Sequence, residues 1–144
     1  MFQTTTLPEA LNVTVVIQIS SFLKFNWLGV VDDVQDFYKS SDALMHVSIY
    51  EGLPNVICEA MLSGCFVIAS NVCDHPLVLG DSERGILCDP LSPESICNAI
   101  EMFDGMEEAA KIAIIKKARN FAELEFNRDT MTDKYLALIN KRLK

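Results

Sequence analysis

Short apolar runs alternate with segments of helical spacing through the middle of the chain. Residues 44–49 form a mostly apolar run, typical of a strand that is buried on both faces. A turn and a helix are predicted next, because Gly52 permits a sharp turn, Pro54 suits a first helical position and Gly64 suits a helix end. Between them, apolar residues recur at helical spacing, at Val56, Ile57, Ala60 and Met61. Residues 65–70 form a second apolar run and predict a buried parallel strand.

The segments before this region are less regular. Residues 1–12 lack a clear periodicity and predict a loose start. Residues 13–19 are rich in β-branched side chains and predict a strand, and residues 22–28 form a further apolar run. Residues 33–41 have an acidic first turn and an apolar stripe, so they predict a short amphipathic helix.

Three helices are predicted after residue 91. Ser92 suits an N-cap with Pro93 at the first helical position, and Gly105 breaks the helical pattern that follows. The second helix carries an apolar stripe at Ile112, Ile115, Ala118 and Phe121 or Ala122. Asn127 is predicted to cap a last helix, whose inward positions are Met131, Tyr135, Leu138 and Ile139.

This order of elements predicts one α/β domain over residues 1–144. Strands and helices that alternate through short connectors are typical of βαβ units, and right-handed crossovers place helices on both faces of a parallel sheet. We therefore expect a Rossmann-like parallel sheet with helices on both faces in residues 13–90, followed by a helical end at residues 91–144.

Composition and charge exclude several classes of partner. The chain has 144 residues, a formal net charge of -8 and a pI near 4.6, which argues against binding to nucleic acid or to an anionic membrane surface. No apolar run approaches the roughly 18 residues of a membrane span. The start lacks the pattern of a secretory leader, which favours a cytoplasmic location and leaves peripheral association with a membrane open. The five cysteines follow no disulfide or metal-site spacing and are expected to be reduced thiols that pack in the core.

The turn before the first predicted helix of the sheet carries the candidate chemistry. The first N–H groups of a helix have no intrahelical acceptor and lie at the positive end of its dipole, so they suit an anion such as phosphate. Glu51 and Glu59 flank this turn, and carboxylates accept hydrogen bonds from hydroxyls rather than binding phosphate. Phosphate together with sugar hydroxyls indicates a nucleotide sugar.

Glu51 and Glu59 enclose seven residues, Gly-Leu-Pro-Asn-Val-Ile-Cys. With the following Ala60-Met61-x-x-Gly64, this pattern resembles the E-x7-E signature of the retaining GT-B glycosyltransferases of group 1 (family 4). Segments on both sides of this pattern resemble other motifs of the family and occur in the family's order, at residues 25–29, 36–43, 67–70 and 85–90. The resemblance extends over residues 25–140 and implies the C-terminal, nucleotide-sugar-binding half of a GT-B fold.

The resemblance implies a role for each residue of the turn. Glu51 would be the catalytic-site carboxylate that binds hydroxyls of the transferred sugar, and Glu59 would accept hydrogen bonds from the ribose hydroxyls. The turn at Gly52 would present backbone N–H groups to the sugar or diphosphate, from Leu53, Asn55 and Val56. The implied reaction is transfer from a UDP- or GDP-sugar with retention, without a metal or other cofactor.

Residues 71–83 form the most irregular stretch and follow the end of a predicted strand. By resemblance this loop borders the donor sugar, so that Asp74 or His75 would contact it. The sequence supports equally well a solvated connector in which Pro76 starts a short helix.

Two parts of the family's pattern are not recognisable. One is the Gly-rich first turn, and the other is the Arg/Lys pair that meets the donor phosphates. Lys24 is the only base before residue 33, so no such pair can be recognised there. The resemblance also implies an acceptor-binding N-terminal domain, which we expect to be absent from this chain. We therefore expect the chain to be inactive alone, with a sugar or glycoconjugate acceptor bound by that missing domain or by a partner chain. The alternative is a non-catalytic interaction or scaffold domain that kept the fold and lost the donor site.

Overall fold

Three parallel strands and six helices make up the part of the chain that the structure, a computed structural model, describes: residue 31 and residues 33–142. The strands are β1 (Ala43–His46), β2 (Phe66–Ser70) and β3 (Ile86–Cys88). The helices are α1 (Val34–Ser40), α2 (Asn55–Ser63), α3 (His75–Leu79), α4 (Pro93–Asp104), α5 (Glu108–Glu125) and α6 (Arg128–Arg142). The loose start predicted at residues 1–12, the strand predicted at residues 13–19 and the apolar run at residues 22–28 lie outside the described residues.

The central strand of the sheet is β2, with β1 and β3 on either side. Ala43 of β1 lies opposite Phe66 of β2, and Ile68 of β2 lies opposite Ile86 of β3, in parallel pairing. Each strand therefore pairs with the next one along the chain, and α2 and α3 form the connections between them. This arrangement confirms the predicted parallel sheet of βαβ units.

The first predicted strand is longer than the observed one. β1 ends at His46, whereas the apolar run continues to Ile49. The N–H of Ser48 donates to the side-chain oxygen of Ser70 at 3.1 Å, and Ile49 is 70% exposed. An apolar run indicates this strand but not its end, because the exposed turn that follows is apolar too.

Alternate strand residues point to opposite faces of the sheet, and helices cover both faces. Leu44 and Val67 belong to one core cluster, which includes residues of α1, α2 and α3 and of the C-terminal half of α5. Ala43, Phe66 and Ile68 belong to a second cluster with residues of α4, and the middle of α5 packs against it. The Rossmann-like layering predicted from the sequence is therefore confirmed.

Most of the predicted helix boundaries are confirmed. Gly64 ends α2 with a φ of 78°, a left-handed conformation that suits glycine. The Ser92 hydroxyl caps α4 by accepting from the N–H of Ser95 at 3.1 Å. At the start of α6, Asn127 Oδ1 accepts from the N–H of Asp129 at 2.7 Å. Helix α1 is one residue shorter at each end than the predicted helix at residues 33–41.

The inward stripe predicted for the last helix is wrong. Its apolar members are between 39% and 64% exposed, at Met131, Tyr135, Leu138 and Ile139. Every residue from 131 to 142 is exposed, so no element of the described part covers this stripe. In α5, Ile112 is likewise 43% exposed. Helical spacing shows which residues share a face, but it does not show whether another element packs there.

The cysteines divide into two groups. Cys58, Cys65 and Cys88 are buried, and burial raises the pKa of the Cys58 and Cys65 thiols to about 11. Cys73 and Cys97 are exposed, and all five are free of disulfide bonds. The predicted role as small core residues is confirmed for the first three and wrong for the other two.

Candidate functional site

All three strands end at the same edge of the sheet. β1 ends at His46, β2 at Ser70 and β3 at Cys88. In open parallel sheets, ligands bind in the crevice outside these carboxyl ends. The turn that carries Glu51 follows β1 and the loop that carries Asp74 follows β2, so the predicted site residues come from two neighbouring strand ends.

The turn after β1 leads into a helix without a side-chain cap. Pro54 is buried at the N-cap of α2, and its carbonyl accepts from the N–H groups of Ile57 at 3.0 Å and Cys58 at 3.2 Å. Helix α2 therefore begins at Asn55, one residue later than predicted. The N–H groups of Asn55 and Val56 have no acceptor within the helix, which leaves them for solvent or a ligand.

Glu59 lies on the solvent side of α2. It follows Asn55 by four residues, so the two side chains lie on the same side of the helix, and both are exposed. Its neighbours Cys58 and Ala60 are buried. Among the other predicted donor-binding residues, Gly52 and Leu53 are exposed, and Glu51 and Val56 are half-buried.

Glu51 faces the last residue of β1. Its Oε1 atom lies 3.4 Å from Nε2 of His46, and the two side chains are 36% and 18% exposed. The sequence indicated His46 only as a core or strand-end residue, and its contact with Glu51 was not predicted. The one available signal was its place at the end of an apolar run, where strand ends carry ligand-binding residues.

His75 is fully buried next to this pair. Its Nδ1 atom lies 2.8 Å from the carbonyl oxygen of Ser70, and 3.4 Å from the hydroxyl that accepts the Ser48 N–H. Because a carbonyl only accepts hydrogen bonds, Nδ1 of His75 carries the proton and donates it. The rings of His75 and His46 are 5.5 Å apart. These contacts join the start of α3 and the turn after β1 to the end of β2.

The irregular loop after β2 contains a short helix. α3 has Pro76 in its first turn, which confirms a helix in the connector, although it begins one residue earlier, at His75. Asp74 is exposed just before α3, whereas the side chain of His75 is buried. A contact of either residue with a donor sugar stays a prediction.

A cavity of about 520 Å³ opens at the end of β3. Asn71, which follows β2, lines it together with Asp89, which follows β3, and Ser95 of α4. The Ser95 hydroxyl accepts from the N–H of Asp89 at 2.9 Å. These polar residues were not predicted as a group, because they lie far apart along the chain and come together only where the strands end.

His46 makes the stability of the fold depend on pH. Burial, the largest influence, holds the pKa of His46 below its usual value of 6.5, although the nearby Glu51 carboxylate acts in the opposite direction. Between the folded pKa and 6.5 the unfolded chain binds more protons. The contribution of His46 to stability is therefore complete above pH 6.5 and is lost as the pH falls through that window, by at most about 1.4 kcal/mol per pH unit.

Urea unfolding of the wild type and His46→Gln at pH 7.5, 6.5 and 5.5 measures this dependence. We expect the free energy of unfolding of the wild type to decrease more steeply below pH 6.5 than that of the variant. Because all other titrating groups are shared, the difference between the two curves reports His46. Parallel curves would contradict the prediction.

Comparison with known proteins identifies the family. Residues 10–103 match the family model described as glycosyl transferases group 1. The chain belongs to this family. The O-antigen chain mannosyltransferase B of Escherichia coli is 32% identical over 101 residues, a match that covers 67% of this chain and 26% of that protein.

Solved structures show that this group 1 glycosyltransferase chain has the fold of the C-terminal half of a GT-B enzyme. A glycosyltransferase from Rickettsia africae ESF-5 has a TM-score of 0.73 at 22% identity, covering 81% of this chain and 31% of its own. Sucrose-phosphate synthase from Thermosynechococcus elongatus has a TM-score of 0.68 at 24% identity, covering 76% of this chain and 27% of its own. The C-terminal domain of a group 1 glycosyl transferase from Francisella tularensis has a TM-score of 0.62 at 24% identity, covering 70% and 53%. The chain thus spans less than a third of the first two proteins.

Arg84 of this glycosyltransferase chain is engaged away from the turn after β1. Its Nε donates to the carbonyl of Val78 at 2.8 Å and its Nη2 to the carbonyl of Leu77 at 3.0 Å. The guanidinium also lies 3.9 Å from the centre of the Phe121 ring. Arg84 therefore satisfies carbonyls at the C-terminal end of α3, while Lys24 lies outside the described residues. A missing basic pair stays a prediction.

The described residues of this glycosyltransferase chain contain neither a membrane-spanning helix nor a metal-binding cluster. None of its helices within residues 33–142 is both long and apolar enough to cross a membrane. Across the same residues, no three His, Cys, Asp or Glu side chains converge in a way that could hold a metal ion. Transfer without a metal stays a prediction.

Proposed function

We propose that this chain is the nucleotide-sugar-binding part of a retaining glycosyltransferase. The observation that carries the proposal is the pair of carboxylates, Glu51 and Glu59, on either side of the uncapped N-terminus of α2 at the carboxyl edge of the sheet. The helix N-terminus suits a diphosphate, and the carboxylates suit sugar hydroxyls. Membership of the group 1 glycosyltransferases supports the same function.

Each residue of the turn has a role in this proposal. Glu51 accepts hydrogen bonds from hydroxyls of the transferred sugar, and Glu59 accepts from the ribose hydroxyls. Gly52 allows the turn that brings backbone N–H groups to the sugar or diphosphate, from Leu53, Asn55 and Val56. Asp74 borders the sugar from the loop after β2, and the buried His75 supports that loop. The donor is a UDP- or GDP-sugar, and no metal takes part.

The acceptor is bound elsewhere in this proposal. A sugar or glycoconjugate acceptor lies on an N-terminal domain or on a partner chain, and transfer takes place in the cytoplasm. The match to the Escherichia coli mannosyltransferase supports separate donor-binding and acceptor-binding parts, because the chain covers only 26% of that protein.

Glu59→Ala is expected to weaken nucleotide binding without changing the fold. A hydrogen bond to a charged group contributes about 1.5–3 kcal/mol, so the dissociation constant should rise roughly 10- to 150-fold. Because Glu59 is exposed, its loss should hardly change the free energy of unfolding. NMR titration of the full chain with UDP, GDP, UDP-glucose and GDP-mannose to millimolar concentration measures both binding and base preference.

Glu101→Ala is the matched control for this titration, because Glu101 is also an exposed helical glutamate but lies on α4, across the sheet from α2. It should bind nucleotides as the wild type does. Equal binding by Glu59→Ala and the wild type would contradict the role of Glu59. The absence of shifts in the wild type would contradict donor binding and favour the scaffold alternative, which is consistent with the net charge of -8 and the engaged Arg84.

Sugar transfer by the purified chain alone is expected to be undetectable. Two missing charge-assisted contacts to the donor phosphates would cost about 3–6 kcal/mol, or ~10²–10⁴ in affinity. The acceptor site would also be absent. Product formation from radiolabelled UDP-glucose or GDP-mannose, with mixed oligosaccharide acceptors, measures this directly. Transfer above the level of a Glu51→Gln, Glu59→Ala double variant would show that the chain is a complete enzyme.

A further inference from the structure

The end of β1 provides a partner for the carboxylate that is proposed to bind the transferred sugar. His46 Nε2 lies 3.4 Å from Glu51 Oε1, and this nitrogen is buried without another hydrogen-bond partner among the described residues. We infer that His46 is a positioning residue, which holds the Glu51 carboxylate in the orientation that accepts hydrogen bonds from the sugar. This inference rests on the proposed function of the same site.

The contact between His46 and Glu51 is close to the length of a hydrogen bond. A formed N–H···O hydrogen bond is about 2.7–3.2 Å long, so 3.4 Å is slightly too long for one. Hydrogen bonds in catalytic sites are often long without a ligand and shorten when the substrate binds. A small rotation of the Glu51 side chain toward His46 completes the bond, and a sugar hydroxyl that donates to the other carboxylate oxygen favours that rotation.

The imidazole of His46 is held in place by its surroundings. Its backbone lies opposite Ala69 in the pairing of β1 with β2, and its ring lies 5.5 Å from the ring of His75. His75 is itself fixed, because it is fully buried and its Nδ1–H donates to the carbonyl of Ser70 at 2.8 Å. His75 therefore connects the central strand to His46, and His46 in turn contacts Glu51 in the turn after β1.

Among the described residues, the titratable groups that face His46 are Glu51 and His75. Glu51 raises the pKa of His46 and His75 lowers it, while burial, the largest influence, lowers it as well. A His46 side chain that is neutral at pH 7 has a single N–H to donate. When that proton is on Nε2, it points to the Glu51 carboxylate.

The first test separates sugar contacts from nucleotide contacts. In the full chain, the affinity for UDP-glucose relative to UDP, and for GDP-mannose relative to GDP, measures what the sugar adds. His46→Met removes the N–H donor and should reduce this ratio roughly 2- to 12-fold with little change in nucleotide affinity. His46→Gln places an amide N–H near the position of Nε2 and should restore the ratio. An unchanged ratio in a folded His46→Met variant would overturn the inference.

The second test needs no ligand. NMR titration of the imidazole gives the pKa of His46 in the wild type and in Glu51→Gln, and the inference expects a lower pKa in the variant because the neighbouring negative charge is gone. An unchanged pKa would overturn the inference. If the wild type bound no nucleotide, the proposed function would fail, and this titration alone would decide whether His46 and Glu51 interact.

Discussion

Replacing Phe66 with alanine is expected to lower the free energy of unfolding by about 3–5 kcal/mol, as is typical for a buried phenylalanine. Phe66 begins the central strand β2, is 1% exposed and packs its ring 4.8 Å from the ring of Phe103 on α4. The substitution removes the ring from the core cluster that joins the sheet to α4. The sheet and this helix can move only partly into the space that the ring leaves, so a cavity remains and most of the packing energy is lost.

Urea unfolding followed by circular dichroism measures this loss. Met102→Ala is the matched control, because Met102 lies on the same helix α4 but is 59% exposed, and its cost should stay within about 0.5 kcal/mol. Phe66→Leu keeps most of the volume and should cost much less than Phe66→Ala. If Phe66→Ala and Met102→Ala cost the same, the cluster on this face does not stabilise the fold as the structure indicates.

The parts of the fold that the sequence predicts well are those set by local chemistry. Residues 65–70 form a continuous apolar run because β2 is the central strand and is covered on both faces. The helix boundaries at Gly64 and Ser92 follow from backbone conformation and side-chain capping, which depend on a few neighbouring residues. Such features can be recognised without knowing what lies across the core.

The parts that the sequence does not predict depend on distant contacts. β1 stops at His46 because the N–H of Ser48 bonds to a side chain of β2, a partner 22 residues away. The apolar stripe of α6 is exposed although its spacing resembles that of a buried helix. In each case the local pattern is correct, and the missing information is which element lies next to it.

The same distinction applies to the candidate site. Glu51 and Glu59 can be selected from their spacing and from the helix start between them, which are local features. His46 cannot be selected in this way, because its importance comes from a carboxylate five residues later and from a ring on α3. The sequence predicts that His75 borders the sugar or lies in a connector, and the structure adds that its side chain is buried against the end of β2. A contact of His75 with the sugar stays a prediction.

Gly85→Ala is expected to lower the free energy of unfolding by about 3 kcal/mol, the upper part of the range for overpacked cores. A Cβ atom at this position would lie 2.5 Å from the carbonyl oxygen of Val67 and 3.1 Å from Cδ2 of Leu79. The first of these neighbours is backbone of the central strand and cannot rotate away. The strain must therefore be relieved by moving β3 away from β2, which weakens the parallel pairing that begins one residue later.

Gly52→Ala is the control for this substitution, because a Cβ atom at Gly52 would meet nothing within 4 Å in the described structure. Its effect on the free energy of unfolding should be within about 0.5 kcal/mol in the same urea experiment. Gly85→Ala should also weaken hydrogen-exchange protection along β3 more than along β1, because β1 lies on the other side of β2. Equal stability of the two alanine variants would show that β3 can move aside without loss, and that the close approach of Gly85 to β2 is not needed to hold the two strands together.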